Sequence, residues 1–209
     1  MILIGLTGRA RNGKSTAADA ITAYAESQSL SVKTYDIGAL IFAHCVREGL
    51  LTEKPREERT PEELAICAHV GLNKRQDDPN YWVGQMNANI LSECPDVALI
   101  PNVRYQNEAD FIKQHGFVVH VQALNPNGTP HISTDRDPNH VSENGLNERE
   151  ADFYIVAKKP GIDVVAAQAV AIFETIQLRA RWRRDPGLTS VASSSFFGLL
   201  PENLRRKSA

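Results

Sequence analysis

The sequence predicts an α/β fold in which a parallel sheet of five strands is flanked by helices. Three observations predict it. Short apolar runs alternate with longer segments of helical periodicity, which implies parallel strands joined by right-handed crossovers. The first run, Ile2 to Leu6, is closed by Thr7 and Gly8, and a helical pattern follows from Lys14. The composition is that of an ordinary globular chain, 42% hydrophobic and 23% charged.

Taken in order, Ile2 to Leu6 reads as a buried strand and Lys14 to Ser27 as a helix, with alanines and Ile21 at helical spacing. Val32 to Tyr35 is a second short strand, and Ala39 to Glu48 a helix that stops at Gly49. The charged stretch Thr52 to Thr60 reads as a solvated loop. Thr60-Pro61-Glu62-Glu63 opens the next helix, with a capping Thr, Pro in the first turn and acids at the positive end; it is expected to run to about Val70. A helix over Asn80 to Leu91 leads to the clearest central strand, Val97 to Ile100. Asn107 to His115 is a helix closed by Gly116, and Phe117 to Val121 the fourth strand. Asn125 to Asn147 is rich in Asn, Pro, Asp, His and Gly; irregular stretches this long are often lids, so a lid loop is expected at 125–147. Phe153 to Ala157 is the fifth strand and Ile162 to Leu178 the closing helix. From Arg179 the chain turns to basic clusters and a serine run. One domain over 1–178 and a basic, partly disordered tail over 179–209 are expected.

Lys plus Arg number 23 and Asp plus Glu 25, a formal net charge of −2. That balance argues against a general nucleic-acid binder, whose domain would be strongly basic. Cys45, Cys67 and Cys94 are scattered and form no CxxC pair, so they read as reduced thiols rather than zinc ligands or bridges. No apolar run approaches the roughly 18 residues of a transmembrane helix. The opening residues lack a basic leader and turn at two glycines, so they read as strand and turn rather than signal peptide. A cytoplasmic protein with no membrane and no nucleic-acid partner is expected.

Gly8-Arg9-Ala10-Arg11-Asn12-Gly13-Lys14-Ser15 fits the phosphate-loop pattern G-x-x-x-x-G-K-[ST], with a strand before it and a helix after it. By average composition the pattern alone arises in roughly one chain in a hundred of this length. The spacing follows from the chemistry. Backbone N–H groups converge on phosphate oxygens, and Gly8 and Gly13 permit the close approach. The helix that starts near Lys14 points its positive end at the anion. Lys14 reaches the β- and γ-phosphates, and the Ser15 hydroxyl binds Mg²⁺. Gly8 through Ser15, with Thr16 beside them, form the expected ATP-binding stretch, and Arg9 and Arg11 add positive charge. The sequence has no N-K-x-D guanine signature, and the phosphate loop opens a short structured region. Both features suit a small-molecule kinase.

Beyond the loop, five segments appear in order. They are Leu6 to Asp19, Pro79-Asn80-Tyr81-Trp82-Val83, Ile100 to Asp110, His140-Val141-Ser142-Glu143 and Ala151-Asp152-Phe153-Tyr154-Ile155. Together they resemble the bacteriophage deoxynucleoside monophosphate kinase family over about residues 1 to 178. That resemblance implies a P-loop kinase fold and transfer of the ATP γ-phosphate to a (deoxy)nucleoside 5′-monophosphate, with Mg²⁺ as cofactor. It implies the host cytoplasm if the protein is phage-encoded, and it leaves a homodimer open. Three positions differ from the family. Asn102 stands where the family has Asp, Gln122-Ala123-Leu124 where an Arg is expected, and Phe42 where a Lys is usual. The opening Ile4-Gly5-Leu6-Thr7-Gly8 also looks like that of dephospho-coenzyme A kinase, and a non-catalytic ATP-binding module is the third reading.

Candidate acceptor residues gather where strands end, since ligands of open α/β sheets bind at the carboxyl edge. Arg104, just past the third core strand, is either a bidentate clamp on the acceptor phosphate or a surface Arg. Trp82, by the resemblance, lines the acceptor site; otherwise it is a core tryptophan. Arg75, in a polar stretch with Lys74, either contacts acceptor phosphate or is solvated. Asp36 either accepts from a sugar hydroxyl, acts as base, or caps a helix. Arg136 is the best lid cation, able to span donor and acceptor phosphates, or else a solvent-exposed arginine. His140 and Glu143 read as holding the lid base together. Lys158, by analogy within the fold class, packs on the adenine, or sits in a plain turn. In phosphate-loop enzymes an Asp at the end of the third core strand usually holds Mg²⁺. Asn102 keeps the oxygen and loses the charge, so a raised Mg²⁺ requirement is expected, lowered again by Asn102→Asp.

Overall fold

The computed structural model describes residues 1–133 and 150–184. Strands β1 (Ile2–Thr7), β2 (Val32–Thr34), β3 (Val97–Ile100), β4 (Phe117–Leu124) and β5 (Phe153–Lys158) form one sheet in the order β2-β3-β1-β4-β5. Every neighbouring pair is parallel. Central β1 is buried from Leu3 to Thr7 and registers Ile4 against Leu99 of β3 and Leu6 against Val119 of β4. A strand buried on both faces needs a continuous apolar run, which is what ILIGL supplies. With a phosphate loop following the central strand, this is the P-loop kinase fold.

Helices cover both faces. On one, α1 (Lys14–Ser27) and the closing helix α6 (Ile162–Arg184) pack over Ile4, Leu6, Val119 and Val121 with Ile21, Ile172 and Phe173. On the other, α2 (Ile37–Arg47), α3 (Pro61–Asp77), α4 (Tyr81–Glu93) and α5 (Gln106–His115) build a second core around Leu3, Ile41, Trp82, Met86, Ile100 and Ile112. Adjacent residues Leu3 and Ile4 fall in different cores because side chains alternate across a strand.

Three boundaries differ from expectation by three residues or more. The capping box that starts α3 forms: Glu63 N donates to Thr60 Oγ1 at 3.3 Å, and Thr60 N donates to Glu63 Oε2 at 2.9 Å. The helix does not stop near Val70 but continues to Asp77, so Lys74 and Arg75 sit on its last turn rather than in a loop. Pro79 ends it: the residue before a proline is forced out of the helical region, and Asp78 is extended at φ −142°, ψ 108°. Strand β4 runs on to Leu124, and α6 continues past Leu178 to Arg184, with the Arg179 guanidinium 4.8 Å from the Phe153 ring centroid. Most of the expected lid loop and the tail from 185 lie outside the described residues. Among the described residues no helix is long and apolar enough to cross a membrane.

Candidate active site

Gly8 adopts φ +129°, and a Cβ there would lie 2.2 Å from the Val121 carbonyl oxygen of β4. Only glycine lets the chain turn this tightly against the sheet. Gly13, at φ +94°, is the N-cap of α1. Arg11 between them has φ +60°, a left-handed conformation that strains a residue with a side chain. No side chain caps α1, and its first turn carries no acid. No acid of the helix's own first turn therefore offsets its N-terminal dipole, which favours holding a phosphate there.

Lys14 Nζ donates to the Gly8 carbonyl at 2.6 Å and the Arg9 carbonyl at 2.9 Å, tying the helix start to the loop entry. Asn12 is 3% exposed, and its Oδ1 accepts no hydrogen bond among the described residues. Arg9, Ala10 and Thr16 are half-buried, while Arg11 and Ser15 are exposed. Those nine residues, Gly8 to Thr16, are thus one continuous turn, as expected from a motif that acts through local backbone geometry.

The acceptor candidates divide. Asp36 and Asn102, 66 positions apart in the chain, meet: Asn102 Nδ2 donates to Asp36 Oδ2 at 2.8 Å. Asp36 Oδ1 meanwhile accepts from Ala39 N at 3.1 Å and caps α2. The capping reading of Asp36 holds, and its second carboxylate oxygen is taken by Asn102. Arg104 is half-buried on the loop between β3 and α5, and the preceding Val103 N donates to the Leu6 carbonyl of β1 at 3.0 Å, two residues before Gly8. This contact brings the Arg104 loop against the strand that launches the phosphate loop.

Two candidates are committed elsewhere. Trp82 is 2% exposed, its indole N–H donates to the Gly71 carbonyl at 3.1 Å, and its ring packs edge-on to His44 and Tyr81. It is a core tryptophan, with both its apolar face and its donor used inside the helical layer. The Arg75 guanidinium donates to Glu108 Oε1 at 3.2 Å and to the Gly71 carbonyl at 3.2 Å, and lies 4.2 Å from the Tyr105 ring centroid. It ties α3 to α5 and is neither a solvated side chain nor one presented to a phosphate. Lys158 is exposed at the last position of β5, opposite Leu124. Arg136, His140 and Glu143 lie outside the described residues.

Two residues were missed. Glu108 is 2% exposed; its Oε2 accepts from Arg104 N at 2.9 Å and Tyr105 N at 3.2 Å. Burial pushes its carboxyl pKa up, against the pull of those amides and of Arg75. An acid three residues into a helix reaching back to the amides just before it is a readable capping signal. Arg59 is the other. Its guanidinium carbon lies 3.3 Å from the ring centroid of Phe42, so a cation stands on the side chain at the position where the sequence resemblance leads one to expect a lysine. Nothing in the local sequence pairs those two positions.

Among the described residues no group of three His, Cys, Asp or Glu is arranged to hold a metal. Mg²⁺ bound with a nucleotide keeps several waters and needs few protein ligands, all oxygen. The Ser15 hydroxyl, the Asn102 amide and the Asp36 carboxylate are hard oxygen donors that fit by chemistry.

No protein-family model matches the chain. No curated protein matches it either. Among solved structures it is similar to shikimate kinase from Aquifex aeolicus vf5, at 19% identity and a TM-score of 0.43 over 85% of this chain and 99% of that one. It is also similar to the APS kinase CysC of Mycobacterium tuberculosis in complex with AMPPNP and APS, at 16% identity and a TM-score of 0.45 over 83% and 97% of the two chains. At such distances neither likeness speaks to substrate.

Proposed function

We propose that the protein is an ATP-dependent kinase that transfers the γ-phosphate of ATP to a (deoxy)nucleoside 5′-monophosphate. The observation that carries the reading is the phosphate loop itself: a left-handed Gly8–Gly13 turn feeding an uncapped helix with Lys14 and Ser15 in its first turn. The acceptor class rests on the five matching sequence segments. The placement of Arg104 beside the strand that launches the loop supports it.

In the reaction a phosphate oxygen of the acceptor attacks the γ-phosphorus, the bond from that phosphorus to the β,γ-bridging oxygen breaks, and ADP leaves. The loop amides and the α1 dipole hold the β- and γ-phosphates. Lys14 exchanges its carbonyl contacts for phosphate oxygens and follows the charge as it moves toward the leaving oxygen. Arg104 pairs with the acceptor phosphate and offsets repulsion between two anions brought together. Asp36 holds the Asn102 amide in one orientation beside them. Mg²⁺, carried in with ATP, would be held by Ser15 with Asn102 nearby and would neutralise charge on the β- and γ-oxygens. Arg136 is assigned to the closing side of the acceptor, and Lys158 to the adenine edge.

An ADP-release assay across the ribo- and deoxynucleoside monophosphates and dephospho-coenzyme A tests this. Turnover with one or a few monophosphates is expected. Turnover with dephospho-coenzyme A alone would replace the acceptor. ATP binding without transfer to any of them would make the protein a non-catalytic ATP-binding module.

A further inference from the structure

The least expected group on the sheet's carboxyl edge is a buried carboxylate. Glu108 is 2% exposed, yet it is reached by three donors from two places: Arg104 N at 2.9 Å and Tyr105 N at 3.2 Å on the β3–α5 loop, and Arg75 Nη2 at 3.2 Å on α3. Arg75 in turn stacks 4.2 Å over the Tyr105 ring and donates to the Gly71 carbonyl. The end of α3, the β3–α5 loop and the first turn of α5 are therefore joined at one side chain.

Burying such a pair contributes little net stability, because desolvation offsets most of the attraction. What it does supply is a defined geometry. The loop held this way is 101–105, which is also tied by Val103 N on the Leu6 carbonyl and by Asn102 Nδ2 on Asp36 Oδ2. Among these ties, the carboxylate is the one that holds the amide of Arg104 itself.

We propose that Glu108 is a positioning residue for the acceptor half of the site: with Arg75 it sets where Arg104 stands relative to the phosphate loop. This rests on the acceptor role given to Arg104 above. A glutamine has the same shape but offers one oxygen to the two amides and turns an N–H₂ group toward the Arg75 guanidinium, donor against donor. The carboxylate's charge and both its oxygens are thus required.

The test is Glu108→Gln in the full chain, read in two ways. Steady-state kinetics should show the monophosphate KM raised about tenfold, with the ATP KM and kcat within about twofold, the size expected for lost charge-assisted hydrogen bonds. Hydrogen exchange followed by mass spectrometry should show the 101–106 segment exchanging about tenfold faster while the phosphate loop is unchanged. Faster exchange with an unaltered monophosphate KM would make Glu108 a structural tie only and overturn the proposal. Equal losses for ATP and monophosphate would overturn it as well. Were the natural protein to transfer phosphate to no monophosphate, the kinase reading would fail by itself; calorimetric titration of monophosphate would then carry the test, affinity weakened selectively in Glu108→Gln sustaining the positioning role and unchanged affinity overturning it. Should Glu108→Gln not fold, Arg75→Lys removes the planar fork but keeps the charge. It should move both readouts the same way by about threefold, and no movement would overturn the proposal.

Discussion

The donor half and the acceptor half of the proposed site are built in opposite ways. The donor half is nine consecutive residues, Gly8 to Thr16, whose geometry comes from two glycines and a helix start. The acceptor half is assembled from the start of α2, α3, the β3–α5 loop and α5, and its members are held by each other: Asn102 by Asp36, and Arg104 by Glu108, itself held by Arg75. A local motif carries its own geometry and survives changes around it. An assembled one depends on every tie, so substitutions should separate the two halves cleanly.

The largest effect is expected from Lys14→Ala. It removes the one side chain of the loop that follows charge in the transition state, so kcat should fall by at least about a hundredfold with the fold intact. Rapid-quench kinetics and circular dichroism measure the two quantities. Near-normal kcat in a folded variant would break the assignment of the donor half.

Trp82 tests which residues truly belong to the acceptor half. Because its ring and its N–H are spent within the core, Trp82→Ala should cost about 3–5 kcal/mol of stability. Trp82→Phe loses mainly the bond to Gly71 and should cost about 1–2 kcal/mol. Denaturant melts give both numbers. At temperatures where Trp82→Phe is folded, its monophosphate KM should equal that of the natural protein; a selective rise would return Trp82 to the site.

Arg104→Lys keeps the charge and loses the bidentate fork. Monophosphate binding should weaken by about tenfold with ATP affinity nearly unchanged, measured by calorimetric titration of each ligand. Parallel losses for both ligands would erase the division between the halves.

The same contrast explains what the sequence made legible. All five strands, the phosphate loop and the α3 cap could be read because each depends on neighbours within a few positions. Trp82 was ambiguous because an aromatic on an apolar helix face looks alike whether a core or a ligand lies opposite. Arg75 was misplaced for a local reason, the helix running on to Asp77, and its role was not legible for a distant one, since its partner Glu108 is 33 positions away. Arg59 over Phe42 is likewise a contact between a loop and a helix that no spacing rule connects.

The smallest effect, and the sharpest on how the acceptor half is wired, is expected from Asn102→Asp. Sequence alone has this change lowering the Mg²⁺ requirement by restoring a charge. The structure adds a cost, because Asn102 Nδ2 sits 2.8 Å from Asp36 Oδ2. An aspartate there sets two carboxylates face to face, and like charges so close cannot both ionise without penalty. At acid pH the pair shares a proton that stands in for the lost N–H. As pH rises the proton leaves, and repulsion grows in the folded state but not in the unfolded one. The Tm deficit relative to the natural protein should therefore be small near about pH 5 and grow by about 2–4 °C toward about pH 8. Adding Mg²⁺ at the higher pH should shrink that deficit if the pair faces the metal, and only then should the Mg²⁺ concentration for half-maximal rate fall. A deficit that grows with pH but ignores Mg²⁺ would keep the Asp36–Asn102 contact and remove residue 102 from the metal's surroundings. A deficit independent of pH would mean that the two side chains do not face each other in solution.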